Sequence, residues 1–337
     1  MQAFFADPAL WLSHAFAALL GLSILIYVVL DGFDLGVGIL FPLATPEERD
    51  RMVASIGPFW DANETWLVLA IGILLVAFPA AHGEILTALY APVAVMLIGL
   101  ILRGVAFEFR AKAPGLQKPW WDRAFWLGST LTGLAQGFML GMYIMGLDWT
   151  LWHVGFALVT AVFLTVAYSF IGAAWLVIKT DAGLQRKAVD WCRGGLWGLV
   201  LGMGSVSLAT PLVSPRIWDK WFSWPEMLAL SPLPVFSAVL IVALWAVLRR
   251  LPLPGDHFAR APFVIATLLM ILGFAGMAYS FYPYIVPDKL TIVAAASAPE
   301  SLWIILIGTL VVLPTIIAYS IVAYTVFRGK ATKLSYD

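Results

Sequence analysis

The sequence predicts an all-α, polytopic membrane protein of about nine transmembrane helices, and three observations carry that prediction. Of its 337 residues, 62% are hydrophobic and 12% charged, about half the charged share of a soluble domain. Its mean hydropathy is +0.92. Nine apolar stretches recur along it, each close to the roughly 20 residues that cross a hydrocarbon core of about 30 Å. This composition excludes a soluble enzyme, a disordered chain and a secreted disulfide scaffold. Twenty basic residues balance twenty acidic ones, so no basic footprint for nucleic acid is present. Cys192 is the single cysteine, which excludes an intrachain disulfide, a cysteine-held Fe–S cluster and a c-type haem.

The stretches lie near 12–41, 63–81, 85–107, 123–147, 153–178, 194–213, 232–248, 261–282 and 302–327. The first is too long for a signal-peptide core and has no Lys or Arg before Arg49, so it reads as a retained span. Prolines at 42, 211, 232, 283 and 287 sit near span ends, where helices stop or restart. The second stretch ends at Phe78-Pro79, and the fourth and fifth are separated by a short tip at Asp148-Trp149. The loops are short, with no long linker or clear internal repeat. The chain therefore reads as a single integral membrane domain, 1–337.

Charge sorting orients it. Seventeen basic residues fall on one side, in the loops after the first, third, fifth and seventh spans and at the C-terminus; the other side has only Arg216, Lys220 and Lys289. The positive-inside rule then puts the N-terminus outside and the C-terminus in the cytoplasm. Most of the 16 Trp residues lie near span ends, as interfacial belts require.

Acidic groups in or beside apolar spans are costly and usually functional. Asp31 and Asp34 are three residues apart in the first span and share a helical face. Gly32 and Gly36 between and beside them form a GxxxG, which admits a second backbone. This pair reads either as a proton or cation site or as a buried, hydrogen-bonded packing element. Asp61 and Glu64 open the second span. Their capping-box spacing makes Asp61 the expected N-cap with Glu64 three residues on, the reading that spacing favours; the alternative is a carboxylate at the mouth of a proton path. Arg103, just inside the third span, needs a partner, for which Asp34, Glu64 and Glu108 are candidates; otherwise it snorkels to headgroups. A metal at Asp31, Asp34, Asp61 and Glu64 would be a hard ion held by oxygen, but the same residues suit proton handling, and no metal is expected. The four histidines, His14, His82, His153 and His257, are placed mostly at span ends or in loops, which argues against a bis-His haem in this chain. A proton-coupled secondary transporter is the alternative class, although inverted repeats and broken midplane helices are not evident.

The stretches Asp31–Gly38, Trp60–Leu67 and Arg103–Arg110, with Tyr282–Pro287 and Tyr324–Lys330, together resemble subunit II of cytochrome bd-type quinol oxidases over essentially the whole chain. Asn63-Glu64-Thr65 and the short length resemble the cyanide-insensitive branch. The resemblance implies two four-helix bundles plus a peripheral helix, in the inner (cytoplasmic) membrane. It implies a role in an aerobic respiratory chain that oxidises quinol, reduces dioxygen to water and generates proton-motive force. Haems b and d and the quinol site would belong to a partner, subunit I, and no cofactor would be bound by this chain alone. A small single-helix subunit, membrane lipid and quinone are further partners that the resemblance admits. The Trp-Asp acid of the family's cytoplasmic proton entry corresponds to Asp61. Asp31 and Asp34 would have a structural or proton-network role; from their positions, Glu64 is placed with them on the proton path, and Arg103 and Glu108 are placed as charge-pairing residues.

Overall fold

The computed structural model describes residues 7–331; Lys333, counted above among the basic residues, lies outside them. Long helices account for each predicted stretch: α1 (Pro8–Ile39), α3 (Trp60–Ala77), α5 (Tyr90–Lys112), α6 (Lys118–Ile144), α7 (Leu151–Lys179), α8 (Ala182–Val213), α11 (Pro232–Arg250), α12 (Ala261–Phe281) and α14 (Pro299–Val326). Short helices α2 (Pro46–Ile56), α4 (Pro79–Ala88), α9 (Pro215–Phe222), α10 (Glu226–Leu230) and α13 (Ile292–Ala295) decorate the ends. With them goes an antiparallel two-stranded hairpin, β1 (Tyr284–Val286) and β2 (Leu290–Thr291).

Eight helices among the described residues are long and apolar enough to cross a membrane. The one predicted span outside that set, the fourth, falls on α6, whose 27 residues reach about 40 Å but include many Gly, Ser, Thr and Gln. Its polarity is tolerable because α6 packs between α5 and α7. Ser129, Thr132 and Gln136 are buried against neighbouring helices. Elsewhere large apolar side chains face outward, among them Val68, Ile98, Ile101, Leu208, Val242, Ile304 and Val311. A surface of that kind suits lipid or a partner subunit and not water.

The third span starts later than predicted. Phe78 leaves helical geometry at φ −133°, ψ 59°, and α4 intervenes before α5 begins at Tyr90. Pro79 removes a backbone donor and favours a helix start.

The most extensive helix contacts run α5–α6, α6–α7 and α7–α8 along the chain, with α1 packed against α3, α6 and α7 and α11 against α12. The last helix, α14, packs against α3 and α1. Small residues set these contacts. A Cβ on Gly36 would overlap the Tyr168 carbonyl oxygen, and one on Gly172 would come within 2.5 Å of the Gly36 backbone. The glycine seam predicted on α1 therefore meets a glycine of α7. Gly137 and Gly141 bring α6 equally close to Ala161 and Ala157. At the basic end Lys179 donates to the Phe327 and Gly329 carbonyls, and Lys330 donates to Thr180 O at 2.7 Å and pairs with Asp256 at 2.8 Å. These bonds tie the end of α14 to the α7–α8 corner. Lys330→Ala is expected to loosen that end, seen as faster proteolysis after Phe327 with the other spans unaffected.

Candidate functional site

The acidic residues singled out from sequence gather at the basic end. Three residues apart on α1, Asp31 and Asp34 present the same face, and both are fully buried. α5 brings Arg103 to them, 1% exposed. Gly128 makes this possible, since a Cβ there would stand 2.7 Å from the Arg103 amide nitrogen; only a glycine lets α6 seal the arginine in. Arg103 Nη1 lies 2.7 Å from Asp31 Oδ1 and 3.8 Å from Glu64 Oε1, and its Nη2 lies 4.0 Å from Asp34 Oδ2.

Two neutral hydrogen-bond chains flank the charges. Tyr324 on α14 donates to Asn63 Oδ1 (2.9 Å), and Asn63 Nδ2 donates to Asp34 Oδ2 (2.7 Å). On the other side Tyr168 donates to Gln136 Oε1 (2.6 Å), and Gln136 Nε2 donates to the Tyr27 hydroxyl (2.7 Å), which in turn approaches Asp31. Three carboxyl groups thus face one guanidinium. Asp31 Oδ2, Asp34 Oδ1 and Arg103 Nη2 are buried with no hydrogen-bond partner among the described residues. An orphaned buried polar atom costs about 1–3 kcal/mol, so the cluster has unused capacity for protons or water.

Several expectations need correction. Asp31 is the closest partner of Arg103, ahead of Glu64 and Asp34. Glu108 is not a partner: it is exposed, and five residues along a helix place it about 140° around from Arg103. Asp61 does not cap α3. The helix begins at Trp60 with Phe59 at the N-cap and no side-chain cap bond, so Asp61 is a first-turn residue. It is exposed, and its carbonyl accepts from Thr65 Oγ1 at 2.9 Å. A capping box does form, but at Thr45 and Glu48 of α2. Glu64 lies between the extremes, with its side chain 31% exposed.

Sequence reasoning missed Tyr27, Gln136, Tyr168 and Tyr324, because tyrosines and a glutamine on apolar helices resemble ordinary packing residues. It also missed a second network beside the first. Asp122, 6% exposed, is held by Arg110 and by Arg49 at 3.0 Å. Asp50 is held by Arg110 at 2.9 Å and Lys118 at 2.8 Å. Partial burial pushes the Asp50 carboxyl up, but the Lys118 hydrogen bond and the Arg110 charge outweigh it and hold the group below its usual range. Its contribution is therefore complete above the unfolded pKa of about 3.9 and is lost as pH falls through the lower folded value. Asp50→Asn is expected to lower the thermal midpoint at neutral pH and to flatten its decline below about pH 4. An unchanged acid slope would remove Asp50 from the pH dependence.

The four histidines stand away from the cluster. His14 lies in the second turn of α1, where its Nδ1 contacts Leu10 O at 2.7 Å; His82 lies in α4; His153 opens α7 with its Nδ1 2.8 Å from Asp148 O; and His257 is in the α11–α12 loop.

A helical membrane protein with a buried multi-carboxylate cluster at one end is the class this architecture defines. Residues 12–327 match the family model described as cytochrome bd terminal oxidase subunit II. The chain belongs to that family. It is 28% identical to cytochrome bd ubiquinol oxidase subunit 2 of Bacillus subtilis (strain 168), covering 91% of this chain and 93% of that one. It is 26% identical to cytochrome bd-I ubiquinol oxidase subunit 2 of Escherichia coli (strain K12), covering 94% of each. Its fold is similar to that of a chain in the bd oxidase of Geobacillus thermodenitrificans, with a TM-score of 0.74 at 18% identity, covering 95% of this chain and 99% of that one. The protein is accordingly a multi-pass membrane subunit II of a bd-type terminal oxidase, part of a quinol-oxidising oxidoreductase complex that also includes a subunit I. This finding leaves the transporter alternative without support.

Proposed function

We propose that this subunit supports a haem-bearing subunit I and helps deliver protons from the cytoplasmic side for the reduction of dioxygen to water. In this reading the basic end faces the cytoplasm, with the N-terminus outside and the C-terminus inside. Haems b and d in the partner supply the electron transfer and the dioxygen chemistry. This chain's own residues hold and move protons. Its residues 1–337 act as one membrane domain, and a small single-helix subunit and bound quinone are compatible additions.

The carrying observation is a burial gradient among acids at the basic end. Asp61 is exposed, Glu64 is half-buried, and Asp31 and Asp34 are sealed around Arg103. Protons consumed in water formation must enter from the cytoplasm if turnover is to build a gradient, and this gradient of acids runs inward from the end that the basic loops assign to that side. Asp61 would take a proton from water. Glu64 Oε1 would carry it to the Arg103 cluster, where the open oxygens Asp31 Oδ2 and Asp34 Oδ1 offer positions to hold it. Arg103 offsets the negative charge when the proton leaves.

Asp61→Asn in the intact complex is expected to slow oxygen uptake at least about tenfold, a conservative share of what a positioned proton-transfer group contributes, with haem content retained. Unchanged uptake would leave the acids a packing role only. The orientation has its own test. Leu116, 94% exposed in the α5–α6 loop, replaced by cysteine should react with a membrane-impermeant maleimide only after the cells are opened. Labelling in whole cells would reverse the topology. The native Cys192 is buried and gives little background.

A further inference from the structure

At the basic end α8 and α11 bound a pocket of about 210 Å³ lined by Arg193, Leu196, Trp197, Trp245, Leu248 and Arg249. None of these residues belongs to the charge cluster. The floor is apolar, with Leu196 4% and Leu248 1% exposed, whereas Trp197 and Trp245 stand outward at 65% and 44%. Arg193 is fixed in place. It donates to the Leu248 carbonyl (3.0 Å) and the Leu251 carbonyl (2.9 Å) at the end of α11, and it pairs with Asp190 at 2.8 Å. A guanidinium has five N–H groups, so further donors remain free. Arg249 lies over the Trp245 ring at 4.6 Å and makes no ion pair or hydrogen bond among the described residues. Arg250 beside it is exposed and equally unpaired. The rim therefore has a surplus of guanidinium charge, with Asp190 its one paired acid.

An apolar track continues from the pocket along both helices. Leu201 follows Trp197 by one turn on α8, and Val242 precedes Trp245 by one turn on α11; they are 58% and 63% exposed. Cations at one end of an exposed apolar track, with indole rings between, form an amphiphilic receptor at headgroup depth. The pocket is too small for a whole lipid and large enough for its phosphate. We propose that the α8–α11 pocket binds one anionic phospholipid, its phosphate on Arg249 and the free N–H groups of Arg193 and its acyl chains along Trp197, Leu201, Val242 and Trp245. Charge complementarity selects an anionic headgroup, because a zwitterionic one brings its own cation to a rim that already has too many.

The test uses the intact oxidase complex, delipidated in detergent and titrated with phosphatidylglycerol or phosphatidylcholine, with bound lipid counted by native mass spectrometry. The wild type is expected to hold one more phosphatidylglycerol than phosphatidylcholine. Arg249→Gln should weaken phosphatidylglycerol binding about fivefold, the ratio that one interfacial cation contributes, and Arg249→Lys should recover most of it. Haem content and oxygen uptake should stay at wild-type level in both variants, since Arg249 is exposed and remote in the chain from the acids. Equal binding by the wild type and Arg249→Gln would overturn the proposal. So would equal retention of the two lipids. Displacement of phosphatidylglycerol by inorganic phosphate at matching concentration would also overturn it, showing a site for free anions and not for lipid.

Discussion

Arg103→Leu is expected to remove most of the assembled subunit. The substitution leaves Asp31 and Asp34 buried without the one cation that faces them among the described residues, and Glu64 facing them. Breaking a buried pair from one side costs about 3–5 kcal/mol, a large part of a typical folding stability of about 5–15 kcal/mol. The loss should appear as a low yield of complex in membranes and a reduced thermal midpoint in detergent. The double variant Arg103→Leu with Asp31→Leu should regain part of that stability, because the closest carboxylate, 2.7 Å away, is removed with its partner. Arg103→Lys should be intermediate. It keeps the charge but cannot reach Asp31, Asp34 and Glu64 with a planar fork. An Arg103→Leu complex as stable as the wild type, or a double variant no better than the single one, would show that the pair does not organise the cluster.

The second large effect is expected at the α1–α7 seam. A methyl group on Gly36 would overlap the Tyr168 carbonyl oxygen, and Gly172 faces the same backbone from the other side. The obstacle is main chain, so no rotamer change can relieve it, and the helices must separate. Overpacking of this kind costs about 1–3 kcal/mol even in cores that adjust, and here it also displaces Asp34, two residues before Gly36. Gly36→Ala should therefore lower the thermal midpoint and the turnover together. Gly155→Ala and Gly308→Ala, where nothing lies within 4 Å of the added carbon, should leave the midpoint unchanged or slightly raised. Equal behaviour of the three variants would mean that the seam is not rigid.

Much of this was legible in the amino-acid order. Each predicted stretch falls on a long helix of the structure, because apolar runs of bilayer length have few alternatives to a helix. The site was legible in part. Asp31, Asp34, Glu64 and Arg103 stood out because a charge within an apolar run is expensive, and all four meet in one cluster. Glu108 stood out for the same reason and meets none of them, since proximity in sequence says little about which side of a helix a residue occupies. Asp61 and Glu64 matched a capping pattern, but Trp60 already continues the helix and the N-cap falls on Phe59. Tyr168 and Gln136 carried no signal, and Tyr324 stood only within a stretch of the resemblance, because a hydroxyl or amide on a helix points to a site only when its partner is known.

The sequence by itself determined the solvent, the helices and their order: hydropathy and the length of each run decide what can cross a bilayer, and the one-sided distribution of basic residues sorts the loops into two sets. Only the tertiary structure decided which acid faces Arg103, which glycines meet and how Tyr324 of the last helix reaches Asn63 of the second span. Those outcomes depend on helix rotation and on backbone approach at Gly36, Gly128 and Gly172. These are settled by packing between segments far apart in the chain, and no local pattern encodes them.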